Sequence, residues 1–346
     1  MASSLRQFQF SPIDAPDSLF NSEIYDSEKL KEISGIYALP EKQIFLMMFT
    51  RDDVIEELGL TDLVPETWDE MIDLVSALQA QQLQFFLPVN ELGATALNPI
   101  FVSLLYQAGG DLYVSNNMET GLKSEEAAKT FEYWTNLYTN YSFPISANFV
   151  NRFRTGEMPI GIAYYELYNT LSVFAPELKG KWSFHLIPGT ERVDAEGNTY
   201  IDHTATASGT GAIILKQPAL KDPKQAEASW TFLKWWTGAE AQTQFGREME
   251  GILGSAARHA SANVKALQGL AWPQKDLDML MMQWAQVHEM PQVAGSYMVG
   301  REVENAFRAV INNFYNARET LYEYALKIDL EINRKRKEFG LPLLEN

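Results

Sequence analysis

Residues 37–53 read YALPEKQIFLMMFTRDD, a turn followed by a compact apolar run. Tyr37-Ala38-Leu39-Pro40 supplies the turn, and Ile44 to Phe49, almost wholly apolar, predicts a buried strand. Downstream, Pro65-Glu66-Thr67-Trp68-Asp69-Glu70 has the form of a helix start. Thr67 can cap it and Glu70 stands three residues on, while Trp68, Met71, Ile72, Val75 and Leu78 repeat at helical spacing. Gln84 to Val89 reads as a second strand that Pro88 ends.

The alternation continues along the chain. Pro99 to Tyr106 predicts a buried helix closed by Gly109-Gly110, where positive φ is cheap. Ser124, followed by Glu125 and Glu126, opens another, with Ala127, Phe131, Trp134, Leu137 and Tyr138 on one face. Phe149 to Arg154 reads as helix, Pro159 to Tyr164 and Trp182 to Ile187 as strands, and Pro188-Gly189 and 194–198 as turns. Thr206 to Gly211 carries small residues ahead of a strand at Ala212 to Leu215. Asp222-Pro223 starts a helix over Lys224 to Thr237, with Gln225 in the capping-box position and Ala226, Trp230, Leu233 and Trp236 as its packing face. Gly251 to Gly254 reads as a loop, and the remainder as helix. Short strands alternating with longer helices point to α/β lobes. The first 35 residues, polar and broken by Pro12 and Pro16, hold only a short possible helix near Ser27 to Ile33.

Composition narrows the function. The 346 residues carry 28 Lys plus Arg against 45 Asp plus Glu, a net charge of -17, so no positive field is available for a phosphate backbone. The basic run Arg334-Lys335-Arg336-Lys337 has Glu331 and Glu338 beside it and reads as a solvated helix end. Cysteine is absent, which excludes disulfides, thiol nucleophiles and cysteine-held metals. No stretch approaches the roughly 20 apolar residues of a membrane span and the start lacks a secretory signal, so the chain as given is expected to be soluble.

The motifs of catalysis are thin. His185, His203, His259 and His288 are scattered, without HExxH or a similar spacing, and Gly209-Thr210-Gly211 matches neither a Walker motif nor GxGxxG. Glu41, Glu91, Glu166 and Asp202 fall in or beside loops, suited to hydrogen bonding a ligand, and paired carboxylates of this kind would also be the feature of a glycosidase. The segment GIAYYELYN at 161–169 is richer: tyrosine rings can lie on apolar C–H faces while Glu166 and Asn169 meet hydroxyls. Ordinary aromatic packing at a strand end is the competing reading.

In order along the chain, YALPEKQIFLMMFTRDD (37–53), ELGL (57–60), PETWDEM (65–71), NPIFVSLLYQAGGDLY (98–113), FRTGEMPIGIAYYELYN (153–169), SGTGAIILK (208–216) and EINRKRKEFG (331–340) resemble the extracellular solute-binding proteins of carbohydrate ABC importers, the maltose-binding-protein group in particular. The resemblance implies an α/β, two-lobed periplasmic-binding-protein type II fold, the Venus flytrap. Residues 36–50 and 209–265 would form the first lobe and residues 51–208 and 266–346 the second, after an irregular leader at 1–35, with crossings near Phe49, Ser208 and Ala266. Only 36 residues precede Tyr37 where relatives have a hundred or so, which implies an incomplete N-terminal lobe. The ligand implied is a sugar, an oligosaccharide more than a monosaccharide. It would be held without chemistry or cofactor and passed to the permease subunits of an ABC importer, outside the cell and on a longer, membrane-tethered lipoprotein. Residue by residue, the resemblance and the polar loops select Glu91, Asn98, Phe101, Tyr165, Glu166, Tyr168, Asn169, Ser208, Thr210, Tyr297 and Met298 as ligand contacts. Here tyrosines stand where the family commonly has tryptophan. A noncatalytic assembly domain on the same scaffold is the alternative, ahead of a carbohydrate-processing enzyme.

Overall fold

The computed structural model describes residues 38–61, 64–87, 97–214 and 222–343. The leader at 1–35, the short helix read near Ser27 and the residue Glu91 lie outside the described residues. In chain order the elements are β1 (Leu39–Thr50), α1 (Asp52–Glu57), α2 (Trp68–Ala80), β2 (Phe85–Phe86), α3 (Pro99–Gln107), β3 (Tyr113–Val114), β4 (Glu119–Thr120), α4 (Glu125–Thr139), α5 (Phe149–Thr155), β5 (Ile160–Tyr164) and α6 (Leu167–Phe174). They continue with β6 (Ser183–His185), β7 (Thr190–Val193), β8 (Thr199–Asp202), β9 (Ala205–Ala212), α7 (Pro223–Trp236), α8 (Ala239–Leu253), α9 (Val264–Gln268), α10 (Gln274–Ala285), β10 (Val287–Glu289), α11 (Tyr297–Asn313) and α12 (Ala317–Glu338).

β1 organises the molecule. The apolar run read as a strand over Ile44 to Phe49 extends back through Leu39, and the added half pairs with β9, Leu39 opposite Ala212 and Phe45 opposite Ala207. Pro40, which has no N–H to give, sits where the register shifts. From Leu46 onward the partner is β5, Leu46 opposite Tyr164 and Thr50 opposite Ile160, and β6 joins at Met48 to Thr50. The sheet order β10-β9-β1-β5-β2 therefore changes company at Phe45–Leu46. A parallel β10–β9 pair and a parallel β2–β5 pair complete it.

Helices cover this sheet. The capping box at Thr67 and Glu70 forms in both directions, and Trp68, Met71, Leu74, Val75 and Leu78 are buried as their spacing requires. α3 is buried almost all round, and Phe101 packs on Phe131 and Trp134 of α4, which meets Phe307 of α11. Gly161 in β5 has its own necessity. A Cβ there would sit 2.6 Å from the Phe149 ring and 2.7 Å from the Phe86 Cβ, between two rings stacked at 4.6 Å. Gly161→Ala is expected to cost about 1–3 kcal/mol through overpacking, read as a lower urea midpoint; a wild-type midpoint would contradict this packing.

Several expectations need correction. The strand placed at Ala212 to Leu215 lies earlier, at Ala205–Ala212, because the small residues of 205–212 are the ones hydrogen-bonded between β10 and β1, and Ile213 falls beyond the strand. The turn-rich stretch after Pro188 contains a hairpin, β7 against β8, closed by Asp194 accepting from the backbone of Glu196 and Asn198. Gly251 does not interrupt α8, which ends only at Gly254 with φ 81°. Asp222 caps α7 by accepting from Lys224 N, and the helix has half-buried Ala226, Leu233 and Trp236 but leaves Trp230, Phe232 and Trp235 exposed. In the basic run, Arg334 and Lys335 pair with Glu331 and Glu338 at the surface, whereas Arg336 is buried, its Nε donating to the Pro342 carbonyl.

Candidate functional site

Where β1 crosses from β5 to β9 its side chains alternate, and the outward set on the β9 side is Lys42 and Ile44. Their cross-strand partners are Thr210 and Ser208, both exposed. Thr206, two residues earlier, is buried: its N–H donates to Ser103 Oγ at 3.1 Å and its hydroxyl to the Pro99 carbonyl at 3.3 Å, which fastens α3 to the strand. Asn98 caps that helix, its Oδ1 accepting from Ile100 N and Phe101 N at 2.9 and 3.2 Å. Half-buried Glu41 accepts from Trp236 Nε1 at 3.0 Å and from the Thr210 hydroxyl at 3.4 Å.

Glu166 completes this edge. It is exposed just past β5, yet its surroundings desolvate the carboxyl and raise its pKa, with the Lys42 ammonium working against that shift. Tyr165, in contrast, is interior at 1% exposure. Its hydroxyl donates to the Gln43 carbonyl at 2.9 Å and its N–H to the Phe45 carbonyl, so it supports the junction from beneath instead of offering a platform. Phe101 is likewise a core residue, enclosed by Phe131 and Trp134.

Tyr168 and Asn169 face a second group. The Tyr168 hydroxyl donates to Asp276 at 2.7 Å, and its ring meets Trp182, Phe184 and Trp272 at centroid separations of 5.0, 5.5 and 4.9 Å. Arg258 lies over Trp272 at 4.5 Å and over Tyr168 at 5.7 Å, and is held by Glu250, while the Asn169 amide donates to the Arg258 carbonyl. Tyr297 is exposed with its hydroxyl bonded to Glu331, and Met298 lies beside Arg301. The structure thus brings Glu166, Ser208 and Thr210 to one edge, with Asn98 linked to it through Pro99 and Thr206, and sets Tyr168 and Asn169 in the adjoining aromatic group. Sequence reasoning missed Lys42, Arg258 and Trp272; alternation along β1 was the available signal for Lys42, and nothing local marks the other two.

Beneath the edge, His259 is buried, its ring 2.7 Å from Gln242 Oε1, which also accepts from Ser261. Burial, aided by Lys42 and opposed by Glu41, lowers its pKa to about 4. A neutral ring must then donate its Nε2–H to Gln242. Because the folded value is depressed, the unfolded chain takes up the proton first, and stability falls as pH drops from about 6.5 toward 4, by at most about 1.4 kcal/mol per pH unit. The His259 proton resonance is expected to titrate near pH 4, and a midpoint near 6.5 would contradict the buried, neutral assignment.

One cluster has the composition of a nucleophilic site. Asp52 accepts from the Thr50 hydroxyl at 2.7 Å and from the Ser183 hydroxyl at 2.9 Å, and His185 Nε2 is 3.0 Å from each of those oxygens. Each hydroxyl has both the Asp52 carboxylate and His185 Nε2 within hydrogen-bond reach, and burial lowers the His185 pKa below its usual value. The cluster staples β6 to β1.

The family model described as bacterial extracellular solute-binding protein matches residues 10–271. Among solved structures, the sugar-binding protein MalE from Xanthomonas citri is 18% identical, with a TM-score of 0.68 over 98% of this chain and 82% of that one. The cyclic α-maltosyl-1,6-maltose binding protein from Arthrobacter globiformis is 15% identical, TM-score 0.67 over 87% and 73%. An ABC transporter solute-binding protein from Thermotoga lettingae, bound with α-D-tagatose, is 16% identical, TM-score 0.65 over 86% and 72%. At such identities the likeness establishes the fold, mixed α/β of the periplasmic-binding-protein type II kind. No curated protein matches by sequence.

Proposed function

We propose that this chain, which belongs to the family of bacterial extracellular solute-binding proteins, captures a carbohydrate, most simply an oligosaccharide, without transforming it and delivers it to the permease subunits of an ABC-type importer. The family match over residues 10–271 carries this reading. The geometry supports it: an exposed amine, an exposed carboxyl and two hydroxyls line one edge where β1 changes partner strands, a donor and acceptor set suited to sugar hydroxyls. The partner change along β1 supports two lobes, residues 36–50 with 209–265 and residues 51–208 with 266–346. Closure of such lobes on a solute would create the surface a permease reads, with ATP consumed by a separate subunit. Among the described residues no helix is long and apolar enough to cross a membrane, and the family match supports an extracellular protein, tethered through a lipid. A thermal-shift screen against neutral mono- and oligosaccharides tests the reading: ligand that binds only the folded state raises the Tm with concentration, and no shift with any sugar would overturn it.

A further inference from the structure

At the far end of α3 from Asn98, roughly 12 Å along the helix, a cavity of about 610 Å³ opens between the Gly109-Gly110 turn, the β7–β8 hairpin and β10. Its walls are built. Asp202, 9% exposed, accepts from Thr204 N and the Thr204 hydroxyl at 3.0 and 2.6 Å, and from Arg192 Nη1 at 3.2 Å. Gly109, with φ 80°, leaves room for the guanidinium, since a Cβ there would be 3.2 Å from Arg192 Nη2. Among the described residues the Arg192 guanidinium makes no other hydrogen bond, so Nε and Nη2 keep their donors. Across the cavity, Tyr106 donates to the Glu289 carbonyl at 3.2 Å and its ring lies 6.1 Å from that of exposed His288, beside the exposed carboxylate of Asp111.

We propose that this cavity is a second saccharide site, taking a neutral mono- or disaccharide, separate from the β1–β9 junction and independent of whether the junction binds sugar. Vicinal hydroxyls both donate and accept, and the cavity offers a fixed guanidinium fork, carboxylate acceptors and two ring faces within a volume ordinary for small ligands. Charge selects neutrality. Asp111 and Asp202 outnumber Arg192 and disfavour an anion, while the guanidinium held in the wall opposes a small cation.

The test is an aromatic-resolved NMR titration of the full chain with maltose and D-galactose, with sodium glucuronate and galactosamine as charged probes. Neutral sugars are expected to shift the His288 and Tyr106 resonances saturably. Arg192→Ala and Asp111→Asn should each weaken that response about tenfold, the size of one charge-assisted hydrogen bond. Asp111 is exposed and makes no contact that holds the hairpin, so its variant answers for any loosening in Arg192→Ala. Glu166→Ala, which alters the junction, should leave the His288 response in place. Overturning results are no shift at millimolar sugar, a response to glucuronate or galactosamine alone, or a response unchanged in both cavity variants.

Discussion

Gln107→Leu is expected to destabilise the protein by about 3 kcal/mol or more, a larger loss than any surface substitution, with the urea m value unchanged. Gln107 is fully buried and uses its whole amide. Its Oε1 accepts from Trp68 Nε1 at 2.7 Å and from the Thr190 hydroxyl at 3.1 Å, and its Nε2 donates to the Pro188 and Thr204 carbonyls at 3.2 and 3.0 Å. One side chain thereby ties α2, the β7–β8 hairpin and the entry to β9 onto α3. Leucine fills similar space but strands those partners away from water, and each stranded polar group costs about 1–3 kcal/mol. Since Thr204 leads directly into Thr206, Ser208 and Thr210, the same variant is expected to weaken ligand binding through the position of β9. A midpoint within error of wild type would mean that the network does not hold these elements together.

Glu166→Ala should have the largest effect on binding with little on stability. The residue is exposed, and the hydrogen bond it gives the fold, from Asn169 N to its carbonyl, is a backbone one, so removing the side chain leaves the core intact. A carboxylate that accepts from a sugar hydroxyl contributes about 1.5–3 kcal/mol, so affinity should fall roughly tenfold to a hundredfold. The pH dependence has a definite sign. Desolvation raises the Glu166 pKa, so the ionised acceptor is lost as pH falls through a value above the ordinary carboxylate range, and affinity should decline earlier on acidification than a freely solvated glutamate would give. Calorimetric titration of wild type and variant across pH checks both statements. Equal affinity in the two proteins would remove Glu166 from the site.

What could be read from residues alone follows a physical line. Elements whose signals are local were legible: the Thr67–Glu70 capping box, the helix beginning at Pro99, and the apolar stripe of α4 all form as their spacing dictates. Elements set by a partner were not. β9 is made of small residues with little strand preference of their own, and it exists because β1 and β10 pair with its two ends, which moved its limits several residues from the apolar run that drew attention. Gly251 passes inside α8 although it is exposed with nothing within 4 Å of a Cβ built there, so a propensity cost near 1 kcal/mol does not by itself end a helix. The site divides the same way. Glu166 follows a strand that was visible, whereas Ser208 and Thr210 lie in β9, Lys42 joins them only through register, and Arg258 comes over the Trp272 and Tyr168 rings from a segment distant in sequence from both strands. Tyr165 was misjudged as a surface because an aromatic at a strand end looks alike whether its hydroxyl meets water or a backbone carbonyl.

The central claim is capture without conversion, and one measurement addresses it: calorimetric titration of the full chain with the oligosaccharide that gives the largest thermal shift, followed by chromatography of the recovered sugar. The account predicts a saturable heat whose β1–β9 junction component is strongly reduced in Glu166→Ala, with the sugar returned at its original length. Cleaved or rearranged sugar, or no saturable heat from any oligosaccharide, would contradict it.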